Sequence, residues 1–177
     1  TDLYLNLIDI KTHNRELTQE IGQLKAQLGA MTELGLENER LNKLIDFRQR
    51  SKMELVAARI IARDIFPEDY DTVTVNRGSK QGIKKGMAAI TVNGVVGYTI
   101  QVEPYTSQIL LLTDRYSVID AIVQRSRARG IIQGHQKDTC ALAYLKRSDD
   151  VKEGDMVVTS GLDNIFPKGF PIGNVIE

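Results

Sequence analysis

The chain has 177 residues, with 23 basic and 23 acidic side chains, no tryptophan and a single cysteine. A net charge of zero creates no global field toward nucleic acid or anionic lipid, so nucleic-acid binding is not expected. One cysteine excludes an internal disulfide and a multi-cysteine zinc site, and the length leaves too little chain for one large enzyme core once a helical stalk is subtracted. Cys140 sits in the apolar, alternating run TCALAYL, which predicts a buried structural thiol. No window approaches the roughly 18 consecutive apolar residues of a membrane span. The chain opens at TDLYLNLIDI, without a start methionine and already in helical periodicity, which points to an upstream segment, with room for an anchor.

The first 50 residues contain no proline, and their apolar residues recur at alternating steps of four and three. Leu7, Ile21 and Leu28 take heptad position a together with Asn14; Leu3, Ile10, Leu17, Leu24 and Met31 take position d. Leucine at most d positions with one polar asparagine at a predicts a parallel two-stranded coiled coil, in which paired asparagines set register and strand number. Residues 1–50 are therefore expected to be a dimerisation helix, with those nine residues as its interface. Glu20 at g and Lys25 at the following e would pair between chains, adding about 0 to 1 kcal/mol. Further on, Gly35, Asn38 and Asn42 weaken the seam while Leu34, Leu41 and Leu44 form a stripe three residues out of phase, as in a stammer. The competing expectation is one amphipathic helix lying on its own domain.

From about Leu55 the period changes to two. LVAARIIARD, DTVTVNRG, MAAITVNG, VVGYTIQVEP, TSQILLLTD, VIDAIVQRS, ARGIIQG, TCALAYL, DMVVTSG and PIGNVIE are short segments rich in Val, Ile, Thr or Leu, most of them separated by turn residues. Asn93-Gly94 is a hairpin signal, read as a type I′ turn with positive φ at both central positions. The spacing, with no helical pattern between strands, predicts small barrels or a sandwich. The fold class expected is mainly β with an N-terminal helix. A first barrel is expected over 51–104, open to completion by C-terminal strands, and a second over 105–177.

Two stretches echo each other: GIKKGMAAITVNGVVG (82–97) and DVKEGDMVVTSGLDNIFPKGFPIGNV (150–175) share Lys-x-Gly, a strand ending near Thr, a turn and a glycine-bearing strand. One hairpin design used twice accounts for the echo, with the glycine at each strand entrance in a conformation denied to other residues.

LENERLNKLIDF (36–47), VAARIIARD (56–64), VNRGSKQGIKKGMAAITVNGVVGYTIQVEPYTSQILLLTD (75–114), RARGIIQG (127–134) and VKEGDMVVTSGLDNIFPKGFPIGNV (151–175), in this order and spacing, resemble the MreC family of bacterial rod-shape-determining proteins. The resemblance covers nearly the whole chain after the first 30 residues. It implies an extracytoplasmic protein with an N-terminal membrane anchor, a dimerising coiled-coil stalk and two small β-barrels, with further strands after GNVIE. It implies a homodimeric, non-catalytic scaffold of the elongation machinery, partnered by a class B penicillin-binding protein, MreD and other rod-complex proteins. It implies no cofactor.

Enzyme chemistry has little support in the residues themselves. His135, Asp138 and Ser160 follow the chain order of a chymotrypsin-like triad but span only 26 residues, and His13 lies in the stalk. Ser160-Gly161 reads instead as a strand end, with Pro167, Gly169, Pro171 and Gly173 setting turns and a strand entry. Asp149, Asp150, Glu153 and Asp155 lack EF-hand spacing. Gly78, Gly82 and Gly86, interleaved with Lys80, Lys84 and Lys85, do not satisfy the P-loop pattern. No catalytic, metal or cofactor residue is expected, and function is sought in surfaces. Arg125, Arg127 and Arg129 recur every second residue and would line one strand face, as a charged edge or a partner surface. Phe166 and Phe170 lie in a turn-rich segment, either packed between barrels or offered to a partner. The alternatives to a scaffold are a self-assembling structural protein without an enzyme partner and a degenerate serine hydrolase.

Overall fold

A computed structural model describes residues 2–50, 53–63, 70–136 and 139–176, with helix side chains over residues 13–49. The chain divides into two compact units, Thr1–Met53 and Glu54–Glu177.

The first unit is one helix, α1, over Asp2–Arg50. At about 1.5 Å per residue it is roughly 70 Å long. Proline is absent, and the helix runs unbroken through Gly22, Gly29 and Gly35, each of which costs about 1 kcal/mol relative to alanine. Local pairs at helical spacing offset part of that cost. Arg40 donates twice to the Glu37 carboxylate, both at 2.8 Å, and the Asn42 amide donates to Asn38 at 2.9 Å.

Among its described residues, the second unit is built from strands with one short 3₁₀ turn. The first sheet comprises β1 (Ile60–Arg63), β2 (Thr72–Val75), β3 (Ala88–Thr91), β4 (Gly94–Val102) and β5 (Ser107–Leu111), ordered β1-β2-β5-β4-β3. The second comprises β6 (Val118–Val123), β7 (Arg129–Gln136), β8 (Thr139–Ala143), β9 (Met156–Thr159) and β10 (Pro171–Asn174), ordered β10-β9-β6-β7-β8. All pairings are antiparallel. Each segment expected to be extended contains one of these strands, and the chain is mainly β with an N-terminal helix, as its patterning predicts. The expected division at 104/105 falls before β5, which pairs with β2 and β4 and so belongs to the first sheet.

The sheets share a core. Val95 of β4 packs with Ile119 and Ala121 of β6, Ile132 of β7, Val157 of β9 and Phe166, while Ala88 and Tyr98 of the first sheet close over the same cluster. A smaller cluster of Val73, Val75 and Ile109 lies within the first sheet. Cys140 is half-buried, its Sγ donating to the Leu112 carbonyl at 3.4 Å, and burial pushes its thiol pKa up.

The β3–β4 hairpin forms where Asn93-Gly94 predicts one, for a different reason. Its two turn residues are Val92 and Asn93, and among the described residues Asn93 is not one of those with positive φ. Gly94 instead opens β4 at φ 145°, where a Cβ would stand 2.3 Å from the Pro171 carbonyl oxygen. The glycine is required by the close approach of β10 to β4, not by a type I′ turn.

The echo is a structural repeat. In the first copy Met87 N–H donates to Lys84 O, Gly86 N–H donates to Thr99 O and Thr99 N–H donates to Met87 O. In the second, Asp155, Lys152, Gly154 and Val175 make the same three bonds. Gly86 and Gly154 have φ of 81° and 85°. Each hairpin also carries a bulge at the same step: Ala89 pairs with Gly97 and Ile90 with Val95, while Val157 pairs with Gly173 and Val158 with Pro171.

Candidate interaction surfaces

The apolar stripe of α1 is bare. Exposure rises from 43% at Leu17 to 71% at Met31, with Ile21, Leu24 and Leu28 between them. Asn14 is exposed on the same heptad frame. Five large apolar residues at heptad spacing make a seam that a second helix would cover, at roughly 25 cal/mol per Å² buried. The expected interface residues Leu3, Leu7 and Ile10 fall on side chains outside the described residues.

The three arginines do not line a strand face. Arg125 and Arg127 lie in the turn region joining β6 to β7, and only Arg129 is on a strand, because the β hairpin reverses within the run that carries the alternation. Arg125 is bidentate on Asp155, through Nε and Nη2 at 2.7 and 2.8 Å, and donates to the Asp150 carboxylate at 2.6 Å. With Lys152 N–H also donating to it, the Asp155 carboxyl is held down to about 2, and Arg125 lowers Asp150 as well. The acidic turn weighed as a calcium loop is thus a latch for Arg125. Among the described residues no cluster of three His, Cys, Asp or Glu is arranged for a metal ion. Arg129 pairs with Asp120, whose pKa it lowers. Arg127 is exposed, at a φ of 62°.

Of the two expected roles, Phe166 takes the packed one and is not a partner surface: it is 3% exposed and meets the Tyr98 ring edge-on, with centroids 6.4 Å apart at 82°. Asp163 places it, its Oδ1 accepting from the Ile165 and Phe166 amides at 3.0 and 3.1 Å. Phe170 is half-buried against the same cluster, its N–H donating to Thr159 Oγ1 at 2.9 Å. Turn-rich composition left both roles open, because apolar residues in a loop are as well suited to plugging a core as to facing solvent.

Ser160 is buried, with its Oγ accepting from Leu162 N–H at 3.1 Å and its own N–H donating to the Asp120 carbonyl. His135 is exposed on β7, and Asp138 lies outside the described residues. The hydroxyl therefore serves a turn. In the glycine-lysine loop, Gly78 N–H donates to Gln81 Oε1, and the Ser79 and Lys80 amides donate to the Glu103 and Pro104 carbonyls. Those amides are engaged and cannot cradle a phosphate.

A pair of exposed tyrosines escaped sequence patterning. Tyr70, just before β2, and Tyr116, between β5 and β6, are 48% and 53% exposed, with ring centroids 5.1 Å apart. The Arg115 guanidinium lies 4.7 Å from the centroid of Tyr116. The one available signal was a tyrosine within two residues of an aspartate near a strand end in both segments, which also fits ordinary turns.

Residues 60–177 match the family model described as rod shape-determining protein MreC, barrel core. The cell shape-determining protein MreC of Cereibacter sphaeroides is 34% identical over 168 residues, covering 95% of this chain and 56% of that protein. That of Caulobacter vibrioides is 30% identical over 164 residues, covering 93% of this chain and 47% of that protein. The chain spans about half the length of these curated relatives. The crystal structure of MreC from Pseudomonas aeruginosa superposes with a TM-score of 0.67 at 32% identity, covering 71% of this chain and 81% of that one. An MreC in complex with a penicillin-binding protein (PBP2) from Helicobacter pylori does so at 0.56 and 21% identity, covering 68% of this chain and 75% of that one, a likeness of fold. With a family model matched over more than half of its residues and a solved relative superposing at a TM-score of 0.67, the chain belongs to the MreC family of rod shape-determining proteins.

Proposed function

We propose that the protein is a non-catalytic scaffold of the bacterial elongation machinery, which dimerises through α1 and positions peptidoglycan synthases to maintain rod shape. The observation that carries the dimer is the bare heptad stripe on α1, from Leu17 to Met31. Residues 1–50 form the dimerisation stalk, and the two sheets are the barrel bodies that meet partners. Those partners are a class B penicillin-binding protein, MreD and other rod-complex proteins. Support for the first comes from the Helicobacter pylori family member seen with a penicillin-binding protein. The protein acts outside the cytoplasm, held by an N-terminal anchor; among the described residues no helix is long and apolar enough to cross a membrane. Two copies joined by a stalk double the binding sites, which raises avidity without any new contact. Ser160, with its hydroxyl in a turn, gives a hydrolase reading no support.

Sedimentation of residues 1–177 against residues 54–177 tests the stalk. The longer chain is expected to be a dimer at low micromolar concentration and the shorter one a monomer; a dimer of 54–177 would place the main interface elsewhere. Surface plasmon resonance against the extracytoplasmic domain of the same organism's class B penicillin-binding protein tests the partner. Saturable binding, weaker without the stalk, is expected, and no binding by either chain at tens of micromolar would refute this partner.

A further inference from the structure

The net charge of zero hides an uneven distribution. Between Thr72 and Thr113 the chain carries four cations, Arg77, Lys80, Lys84 and Lys85, and a single carboxylate, Glu103. All four cations sit on the loop that joins β2 to β3. Among the described residues none of the four is paired with a carboxylate. The segment that approaches the loop adds one charge of each sign: Arg59, whose backbone pairs with Asn76, and Glu54 before it. Ile60 lies opposite Val75 and Arg63 opposite Val73, so residues 64–69 connect these strands at the end away from the loop.

The loop is held stiffly against the turn between β4 and β5. Gly78 N–H donates to Gln81 Oε1, the Ser79 and Lys80 amides donate to the Glu103 and Pro104 carbonyls, and Ile83 N–H returns to Gly78 O. Gly82 and Gly86 turn the chain at φ of 87° and 81°. Lys80 Nζ donates to the Tyr105 hydroxyl at 2.7 Å and lies 4.6 Å from the ring centroid. A neutral phenol orients the ammonium without cancelling its charge.

We propose that this loop and Tyr105 form a contact surface for the anionic headgroups of a phospholipid bilayer. Lys80, Lys84 and Lys85 are exposed. Lysine is depleted from protein–protein interfaces, where its strongly hydrated ammonium must give up water; at a headgroup layer it stays hydrated and still gains from the surface charge. Arg77, the one guanidinium and so the one planar fork for a protein carboxylate, is half-buried, with Nη1 turned back onto the Asn76 carbonyl at 2.8 Å. Tyr105 is 60% exposed, an amphipathic ring of the kind that settles at membrane interfaces. The surface requires neither the stalk nor the synthase partner, and so goes beyond the scaffold reading.

The test floats the full chain with vesicles of phosphatidylcholine containing about 30 mol% phosphatidylglycerol, beside vesicles of phosphatidylcholine alone. Binding to the anionic vesicles only is expected, weakening as salt rises from about 50 to about 300 mM. Lys80→Gln, Lys84→Gln and Lys85→Gln together should weaken partitioning about a hundredfold, since each basic side chain near such a surface counts for about fivefold. Lys146→Gln, Arg147→Gln and Lys168→Gln remove the same charge from exposed loops of the second sheet and should change partitioning about twofold at most. Because the chain has no tryptophan, Tyr105→Trp places a single reporter at the loop, whose emission should shift to the blue on anionic vesicles. Matching circular dichroism establishes that each variant is folded. No flotation at low salt, equal losses in the two triple variants, or an unshifted tryptophan on vesicles that bind would each overturn the surface. Lysine-dependent binding of the synthase domain without vesicle binding would replace the bilayer with an acidic protein face and leave the scaffold reading standing.

Discussion

Phe166→Ala measures how strongly the two sheets depend on each other. The ring is 3% exposed and sits between Tyr98 and Val95 of the first sheet and Ile119 and Val157 of the second. A buried phenylalanine removes about 200 Å² from water, worth about 5 kcal/mol at 25 cal/mol per Å². Alanine retains part of that area while a cavity adds to the loss, so the expected cost is about 3 to 5 kcal/mol. At about 3 to 5 °C per kcal/mol for a unit of this size, Tm should fall by about 10 to 20 °C in differential scanning calorimetry. The edge-on pair with Tyr98 adds a sharper signature. In a double-mutant cycle of Tyr98→Leu with Phe166→Leu, the coupling should be about 0.5 to 1.5 kcal/mol. Because Tyr98 is on β4 of the first sheet and Phe166 is in the loop joining β9 to β10 of the second, coupling of that size reports the contact between the two halves of the body. An unchanged Tm with lost partner binding would refute the packing argument and return Phe166 to the surface.

Gly94→Ala should force β10 away from β4, since the added Cβ would stand 2.3 Å from Pro171 O, at a cost of about 1 to 3 kcal/mol. Faster hydrogen exchange at Phe170 and Val175, with a lower Tm, is the expected readout; unchanged exchange would mean that β10 yields freely. Arg125→Gln tests the Asp155 latch. Asp155 is held at about 2 in the folded chain against an ordinary 3.8, so its stabilising effect is complete above about pH 4 and is lost as pH falls toward 2. Arg125→Gln should lower Tm at pH 7, and its gap to the unmodified chain should narrow between about pH 4 and 2; parallel Tm curves would show that Arg125 does not set this titration.

The strand plan was legible because each strand of this body carries its own signal: β-branched residues in a short run with turn residues on either side. The repeat was legible too, since Lys-x-Gly marks a backbone demand that only glycine meets cheaply. Where inference from local pattern failed, a long-range contact had decided the residue's role. Gly94 answers to Pro171 and Phe166 to Tyr98, both far along the chain. The arginine alternation was real in sequence and void in space, since a turn falls in its middle. Asp114 shows the same limit: nothing local marks an aspartate that will bind the Asp71 amide, 43 residues away, besides the Tyr116 amide two residues on.

A chain that carries one hairpin twice runs the hazard of putting the wrong copy in place while it folds. The paired strands of the β3–β4 and β9–β10 hairpins share entry turn, bulge and register, although a two-residue turn closes the first and the longer loop 160–170 the second, so the backbone of the paired strands does not distinguish them. Their side chains do: Ala88 and Ala89 on the first entering strand correspond to Met156 and Val157 on the second, and Gly94 at the head of β4 corresponds to Phe170. An exchanged hairpin would press a phenylalanine against a site shaped for no side chain and leave a hollow where Phe170 belongs. The divergence between the copies thus acts as an address, and refolding should become slower and more heterogeneous as the two are made alike.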